Sequence, residues 1–500
     1  MEDLERMPLQ KAGIPAGAIE GFLNEIEKEG VHLHSFVIVK GEKVVVSGSY
    51  APCKTDDIHM LFSLSKSFTS IAIGFAQQEG KLSLQDLVID FFQEELQGKE
   101  ISENMKKVTI RHLLTMNSGQ TEPEDELFTK LNENWALSFL TSEVEKEPGT
   151  WFLYNTRCSY MLSVILEKVT GEKLKDYLKS RLFRPLGFSE KLWWETSPQG
   201  YHTGGFGLNI SVEDIAKFGI FVKNQGVWKD KQLLNKEWFV DAVKPWSDSS
   251  NTWGGENCFG YGYQFWRCHV PGVFRGDGAF GQYCVIMPEE DLVFATTAGQ
   301  LDMQKILDAF WKHVYPGTAL HPALDGGKDS LQERIDKLVL PTYYQEKLEN
   351  EGFSSSDLCR LQIPEKVQGI TYEIPDNTLQ LTEVRFWQKE GQKDSCMLEM
   401  KNGEKTDTLV VFPDKWSETE FHIDENRTDV SRASFREGLF QRCFVKGCTV
   451  GEKLYLDMFF PETTFQDTWE VTFETQGILL DVHRNTGFVP GNFTVRGKAK

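Results

Sequence analysis

The feature that most limits what this chain can fold into is a change of hydrophobic period part-way along it. After a first hairpin and up to about residue 245, apolar residues recur mainly at helical spacing. In "SLSKSFTSIAIGFAQQEGK", for example, Leu64, Phe68, Ile71 and Phe75 fall four, three and four apart. Beyond residue 360 the period becomes two: "KLYLDMFF" alternates Leu454, Leu456, Met458 and Phe460, and "TWEVTFET" alternates Trp469, Val471 and Phe473. Asn402-Gly403, between "CMLEM" and "TLVVF", is a hairpin turn signal. Between the two textures, "YPGTALHPALDGGKDS" (315–330) concentrates Pro and Gly and reads as a linker, with a short helical segment at about 329–350.

A chain of 500 residues exceeds one ordinary core. The expected organisation is a first domain over 1–325, a linker with a short helix over 326–359, and an all-β accessory domain, barrel or sandwich, over 360–500. Within the first domain, "SFVIVKGEKVVVSGSY" places two β-branched runs around Lys40-Gly41-Glu42, a hairpin. Helices are predicted at 16–29, 63–79, 109–116, 134–146, 158–169, 172–181, 211–224 and 301–313, and strands at 262–268, 282–287 and 292–297. Strands at both ends with helices between predict an α+β domain whose antiparallel sheet draws strands from both termini.

The formal charge of −20 argues against a nucleic-acid partner, since phosphate binding needs a basic surface. The acidic N-terminus, "MEDLERMPLQKAGIPAGAIEGFL", does not read as a secretory signal, and no apolar stretch reaches the ~18 residues of a membrane span. Nine scattered cysteines suit reduced thiols. The expectation is therefore a cytoplasmic protein without membrane or nucleic-acid partners. Cys443 and Cys448 have no second pair at zinc spacing, and no metal site is assigned. Oligomeric state leaves no signal.

Ser63 and Lys66 are three apart at the start of an apolar-striped helix, which makes their side chains neighbours. Serine needs a base within hydrogen-bond reach to act as a nucleophile, and a lysine can serve when it is neutral. Unpaired N–H groups at a helix start also favour developing negative charge. S-x-x-K alone is weak, because it reads equally as a helix cap followed by a solvated lysine. Serines 65, 67 and 70 lack a lysine three residues on and are taken as structural.

The company of this motif is more specific. "MLFSLSKSFTSIAIGFAQQEGKLSLQDLV", "VTIRHLLTMNSG", "EPGTWFLYNTRCSYMLSVILEKVTGEKLKDYL", "GGFGLNISVEDIAKFGIFVKNQGVW" and "FGYGYQFW" follow in order. Over roughly residues 15–315 this series resembles the class C β-lactamase-like serine hydrolases, which include penicillin-binding-protein-related esterases and D-aminopeptidases. The resemblance implies a β-lactamase/transpeptidase-like fold with Ser63 as nucleophile and Lys66 with Tyr154 as proton carriers. The Y-x-N element of the family matches Tyr154, Asn155 and Thr156, with Thr where Asn or Ser is usual; Asn155 and Thr156 are expected at the substrate.

The K-T-G-like strand of the family is matched by Gly276-Asp277-Gly278 in "FRGDGAFGQ", without the lysine. The resemblance makes Gly278 and Ala279 the substrate strand, with the N–H of Ala279 joining that of Ser63 as oxyanion hole, and puts Asp277 against the substrate. Loss of the lysine weakens recognition of a β-lactam carboxylate. The function implied is acyl-enzyme hydrolysis of a small ester, amide or peptide, with no cofactor. The alternatives are penicillin-binding or β-lactamase activity, or a ligand-binding relic without turnover. By likeness to the D-aminopeptidases, residues 360–500 are expected to border the cleft and limit substrate size.

Other motifs fail. "GFAQQEGKL" has the wrong spacing for a phosphate loop, and neither G-x-S-x-G nor H-E-x-x-H occurs. His112 is expected to pack a helix, Tyr201-His202 is a weak pocket candidate, and the aromatics of "FGYGYQFW" are core or pocket wall.

Overall fold

The computed structural model describes residues 3–122, 133–315, 328–389, 395–422, 440–485 and 492–500. The chain divides into two compact units, Met1–Tyr50 with Lys54–Leu338, and Ala51–Cys53 with Val339–Lys500.

The first unit is built on a six-stranded sheet in the order Lys43–Ser49, Leu33–Lys40, Leu292–Ala298, Gln282–Met287, Phe274–Gly278, Trp266–Arg267. Every neighbouring pair is antiparallel. The first two strands form the expected hairpin, with Gly41 at φ 65° in its turn. Strands from the two ends of the unit then meet, Val37 opposite Ala295. Side chains alternate between sheet faces, so adjacent Val293 and Phe294 serve different layers. Phe294 stacks on Phe310 of the Gln304–His313 helix, ring centroids 4.2 Å apart, and meets Phe22 of the Ala16–Lys28 helix edge-on. Val293 packs on the Val212–Lys223 helix so closely that a Cβ on Gly219 would lie 2.4 Å from its Cγ1.

A two-residue strand, His59–Met60, pairs with Leu208–Ile210 and leads into the short 3-10 turn Phe62–Leu64 and the Ser65–Gln78 helix. The predicted stripe is the reason this helix forms here. Leu64, Phe68, Ile71 and Phe75 are all buried, and Phe68 stacks on Phe218 at 3.9 Å. Each such burial contributes about 1.5–3 kcal/mol.

Some elements are shorter than their sequence pattern. The helix expected over 134–146 spans Trp135–Thr141. The strand expected over 262–268 keeps only Trp266–Arg267, because the chain turns at Gln264 (φ 62°), where the Gly262 N–H donates to the Phe265 carbonyl at 2.8 Å. The first unit also runs past residue 325. The Lys328–Ile335 helix buries Leu331 and Ile335, and Arg334 pairs with Glu27 at 3.0 Å. Much of the stretch read as a linker, residues 316–327, lies outside the described residues.

The second unit is one ten-stranded antiparallel sheet. From Lys405–Val411 it passes through Cys396–Asn402, Leu381–Trp387, Thr371–Glu373, Phe493–Ala499, Gly477–Arg484, Gln466–Phe473, Lys453–Phe459 and Phe440–Val450 to Ser417–His422. Asn402-Gly403 does form its hairpin turn. The sheet curls until it nearly closes: the Gly447 N–H donates to the Phe412 carbonyl at 3.1 Å. The alternating residues Leu454, Leu456, Met458, Trp469, Val471 and Phe473 are buried. So is the ion pair of Arg484 with Asp467, Nε to Oδ1 2.6 Å. Asp457 is buried as well, accepting from the Tyr343 N–H at 2.6 Å at the start of the Tyr343–Asn350 helix. Among the described residues, no helix is long and apolar enough to cross a membrane.

Candidate active site

Ser63 lies in the turn just before the Ser65–Gln78 helix and Lys66 in the first turn of that helix. Phe62, immediately before the serine, has φ 46°, a left-handed backbone that costs a bulky residue strain. Its ring is held edge-on against Phe280 at 5.2 Å. The Lys66 side chain is not a solvated charge, since the residue is 1% exposed. Its Nζ donates to Ser63 Oγ at 3.0 Å, to Thr156 Oγ1 at 3.2 Å and to the Gly205 carbonyl at 2.7 Å. The Thr156 and Gly205 oxygens thus hold the amine against the serine hydroxyl.

Tyr154 comes from the chain just before the Thr156–Thr170 helix, and Lys66 Nζ sits 4.9 Å from its ring centroid. The phenol ring stacks on Trp266 (5.3 Å, 20° between planes) and meets Tyr261 and Trp253 edge-on at 6.1 and 5.4 Å. "FGYGYQFW" therefore supplies a wall for Tyr154: Tyr261 and Trp266 are both buried against it.

Asn155 and Thr156 separate in role. Thr156 faces Lys66, as above. Asn155, expected at the substrate, is wholly buried and committed to the fold. Its Oδ1 caps the helix by accepting from the Arg157 N–H at 3.0 Å, and its Nδ2 donates to Gln120 Oε1 at 2.9 Å. Asp277 also differs from its expected part. Its Oδ2 accepts from Arg275 Nε at 2.8 Å, leaving the side chain 11% exposed. Burial pushes the Asp277 carboxyl up, with Arg275 and Lys66 pulling against it.

The glycine strand runs beside the serine turn in regular register, Gly276 opposite Cys284 and Gly278 opposite Gln282, with no bulge. A Cβ on Gly278 would fall 2.0 Å from the Leu61 carbonyl oxygen and 3.1 Å from the Leu64 N. Only glycine permits this approach, which brings the Ala279 end of the strand to the serine turn. A Cβ on Gly276 would lie 2.5 Å from Ser67 Oγ and 2.6 Å from Leu64 Cδ1, so this backbone has no room for a lysine there.

Behind the site, Gln264 ties three elements together. Its carbonyl accepts from Ser67 Oγ (2.8 Å), its Oε1 from Ser159 Oγ (2.6 Å), and its Nε2 donates to the Leu114 carbonyl (2.9 Å). Gly205, Gln264 and Trp253 carry no sequence signal of their own; Gly205 lies in the Gly-rich "YHTGGFG". His202, the pocket candidate of that stretch, is buried, accepts from the Lys175 N–H at 3.4 Å and is driven down to about 3 by desolvation. His112 closes a capping box with Thr109, its Nδ1 accepting from the Thr109 N–H at 3.1 Å.

A serine, a buried amine, a phenol and a close-packed glycine strand, set between an antiparallel sheet and helices, define a class of fold and site. The beta-lactamase family model matches residues 20–305, more than half of the chain, and the chain belongs to that family. Protein flp of Staphylococcus aureus (strain COL) is 25% identical over 211 residues, 39% of this chain and 41% of that protein. Lovastatin esterase of Penicillium rubens is 25% identical over 197 residues, 34% of this chain and 48% of that one. The chain thus spans less than half the length of these curated relatives. Among solved structures, a Bacillus anthracis protein named as a candidate 6-aminohexanoate-dimer hydrolase superposes with a TM-score of 0.51 at 20% identity. That match covers 63% of this chain and 86% of the other, and the likeness is one of fold.

Proposed function

We propose that this chain is a serine hydrolase that cleaves a small ester or amide through an acyl-enzyme. The observation that carries the reading is the 3.0 Å contact between Lys66 Nζ and Ser63 Oγ, with the amine buried and held by two further oxygens. In this reading Lys66 acts as the neutral amine: Ser63 Oγ attacks the carbonyl carbon as its proton moves to Lys66 Nζ, which in turn resupplies the proton that Tyr154 gives up. The carbonyl oxygen takes up the negative charge and is held by the N–H groups of Ser63 and Ala279. As the tetrahedral intermediate collapses, the bond to the leaving group breaks and Tyr154 protonates the departing alkoxide or amine. Water then attacks the acyl-serine by the reverse proton route, releasing the acid and restoring the Ser63 hydroxyl. Lovastatin esterase among the relatives supports an ester as the first substrate to try.

The test is the intact mass of the protein after a fluorophosphonate probe, with peptide mapping and a Ser63→Ala control. One adduct, on Ser63 alone, is the expected result. A well-folded protein that takes up no probe removes the reading and leaves the chain a binding protein.

A further inference from the structure

We propose that Trp253 is a substrate-contacting residue that selects uncharged esters with an aromatic or similarly large apolar leaving group. This rests on the hydrolase reading above and names the substrate class of the same site.

Trp253 is 74% exposed, the most exposed of the large apolar residues among those described. It is also held in place. The loop that carries it is pinned by Ser249 Oγ to the Asn257 carbonyl (2.6 Å), Thr252 Oγ1 to the Ser249 carbonyl (2.8 Å) and Asn251 Nδ2 to the Phe152 carbonyl (3.0 Å). The last bond fastens the loop two residues before Tyr154. The indole then stands 5.4 Å from the Tyr154 ring and 6.5 Å from that of Trp266.

Position decides which part of a substrate Trp253 meets. Tyr154 delivers the proton to the departing oxygen, so the leaving group must lie against Tyr154, and the exposed indole flanks that same ring. The cations placed at the site above are already engaged by oxygens. Lys66 is committed to three oxygens, Arg275 is buried and paired with Asp277, and position 276 has no room for a cationic side chain. An apolar ring on the leaving group gains contact with the indole; a carboxylate there gains no cation.

The experiment compares kcat/KM for ethyl, benzyl, 2-naphthylmethyl and 4-carboxybenzyl acetates on the full-length wild type, Trp253→Phe and Trp253→Ala, each also treated with the fluorophosphonate probe. The acyl group is constant, and comparing variants cancels the intrinsic reactivity of each alcohol. The benzyl-to-ethyl ratio is expected to fall about 10- to 100-fold in Trp253→Ala and to be largely kept in Trp253→Phe. In the wild type, 4-carboxybenzyl acetate is expected to react at least tenfold more slowly than the benzyl ester. A ratio unchanged in Trp253→Ala, or a carboxybenzyl ester as fast as the benzyl ester, in protein that labels at Ser63, overturns this inference alone. A wild type that neither labels nor cleaves any ester overturns the hydrolase reading and this inference with it.

Discussion

Thr156 Oγ1 accepts a hydrogen bond from Lys66 Nζ across 3.2 Å, so a residue on one helix orients the amine of another. Thr156→Val keeps the shape and removes the acceptor. It is expected to lower kcat on a cleaved ester by about 10- to 100-fold, the worth of one hydrogen bond to a charged or reacting group, while Thr156→Ser stays near wild type. Steady-state kinetics and the rate of fluorophosphonate labelling check this together, since both report on Ser63.

Gly278→Ala is the sharpest single test of the strand that runs beside the serine. Its new Cβ meets the Leu61 carbonyl oxygen at 2.0 Å, and a backbone atom cannot swing aside as a flexible side chain would. The strand must move off the turn. The expected outcome is a loss of about 1–3 kcal/mol in stability, with labelling slowed about 100-fold or more as the N–H groups of Ser63 and Ala279, proposed above to hold the oxyanion, separate. Denaturant melts and labelling kinetics separate the two effects.

Arg275 and Asp277 form a buried pair two residues apart on that strand. Asp277→Asn leaves a guanidinium buried without its counter-charge and is expected to cost about 3–5 kcal/mol. Arg275→Met with Asp277→Asn is expected to cost clearly less than the two single changes added together, although Arg275 also gives up its bond to Asn257 Oδ1 at 2.7 Å. Urea unfolding of the three variants completes the cycle; strict additivity would mean that the two side chains do not interact.

Asp457 makes the second unit sensitive to pH. Burial raises its carboxyl to about 7, against hydrogen bonds from Thr468, Gln466 and the backbone of Tyr343 and Tyr344. A carboxyl raised on folding contributes stability that is complete below its unfolded value near 4 and is lost as pH climbs through the folded one. The unit is therefore expected to be more stable near pH 4.5 than near pH 7.5 as far as this group decides, by a few kcal/mol, and Asp457→Asn should flatten that slope. Amide hydrogen exchange of the 453–473 hairpin at several pH values reads it directly.

Much of this was legible in the residues, and the exceptions have physical causes. The Ser63–Lys66 contact follows from a spacing of three on a helix, and the ten-stranded sheet follows from period-two alternation. Asn155 was misread because a short polar side chain before a helix serves two purposes equally well, and here capping won over substrate contact. Gly205 escaped notice because it acts through its carbonyl, an atom every residue has. Trp253 escaped because its neighbour Tyr154 lies about a hundred positions earlier, beyond any local pattern. The end of the first unit was placed too early because a run of Pro and Gly reads as a linker in the sequence, whereas the buried Leu331 and Ile335 beyond it belong to that unit.

The sheet order of the first unit has a consequence for how the protein is made. Leu33–Lys40 pairs on one side with its hairpin partner and on the other with Leu292–Ala298, about 250 residues later. At ribosomal speeds of about 5–20 residues per second, one edge of an apolar strand waits on the order of ten to fifty seconds for its mate. Ser63 and Lys66 are also made well before the glycine strand beside them. A nascent chain thus carries Ser63 and Lys66 before the strand that packs beside them exists, and an adhesive edge that a chaperone would have reason to cover.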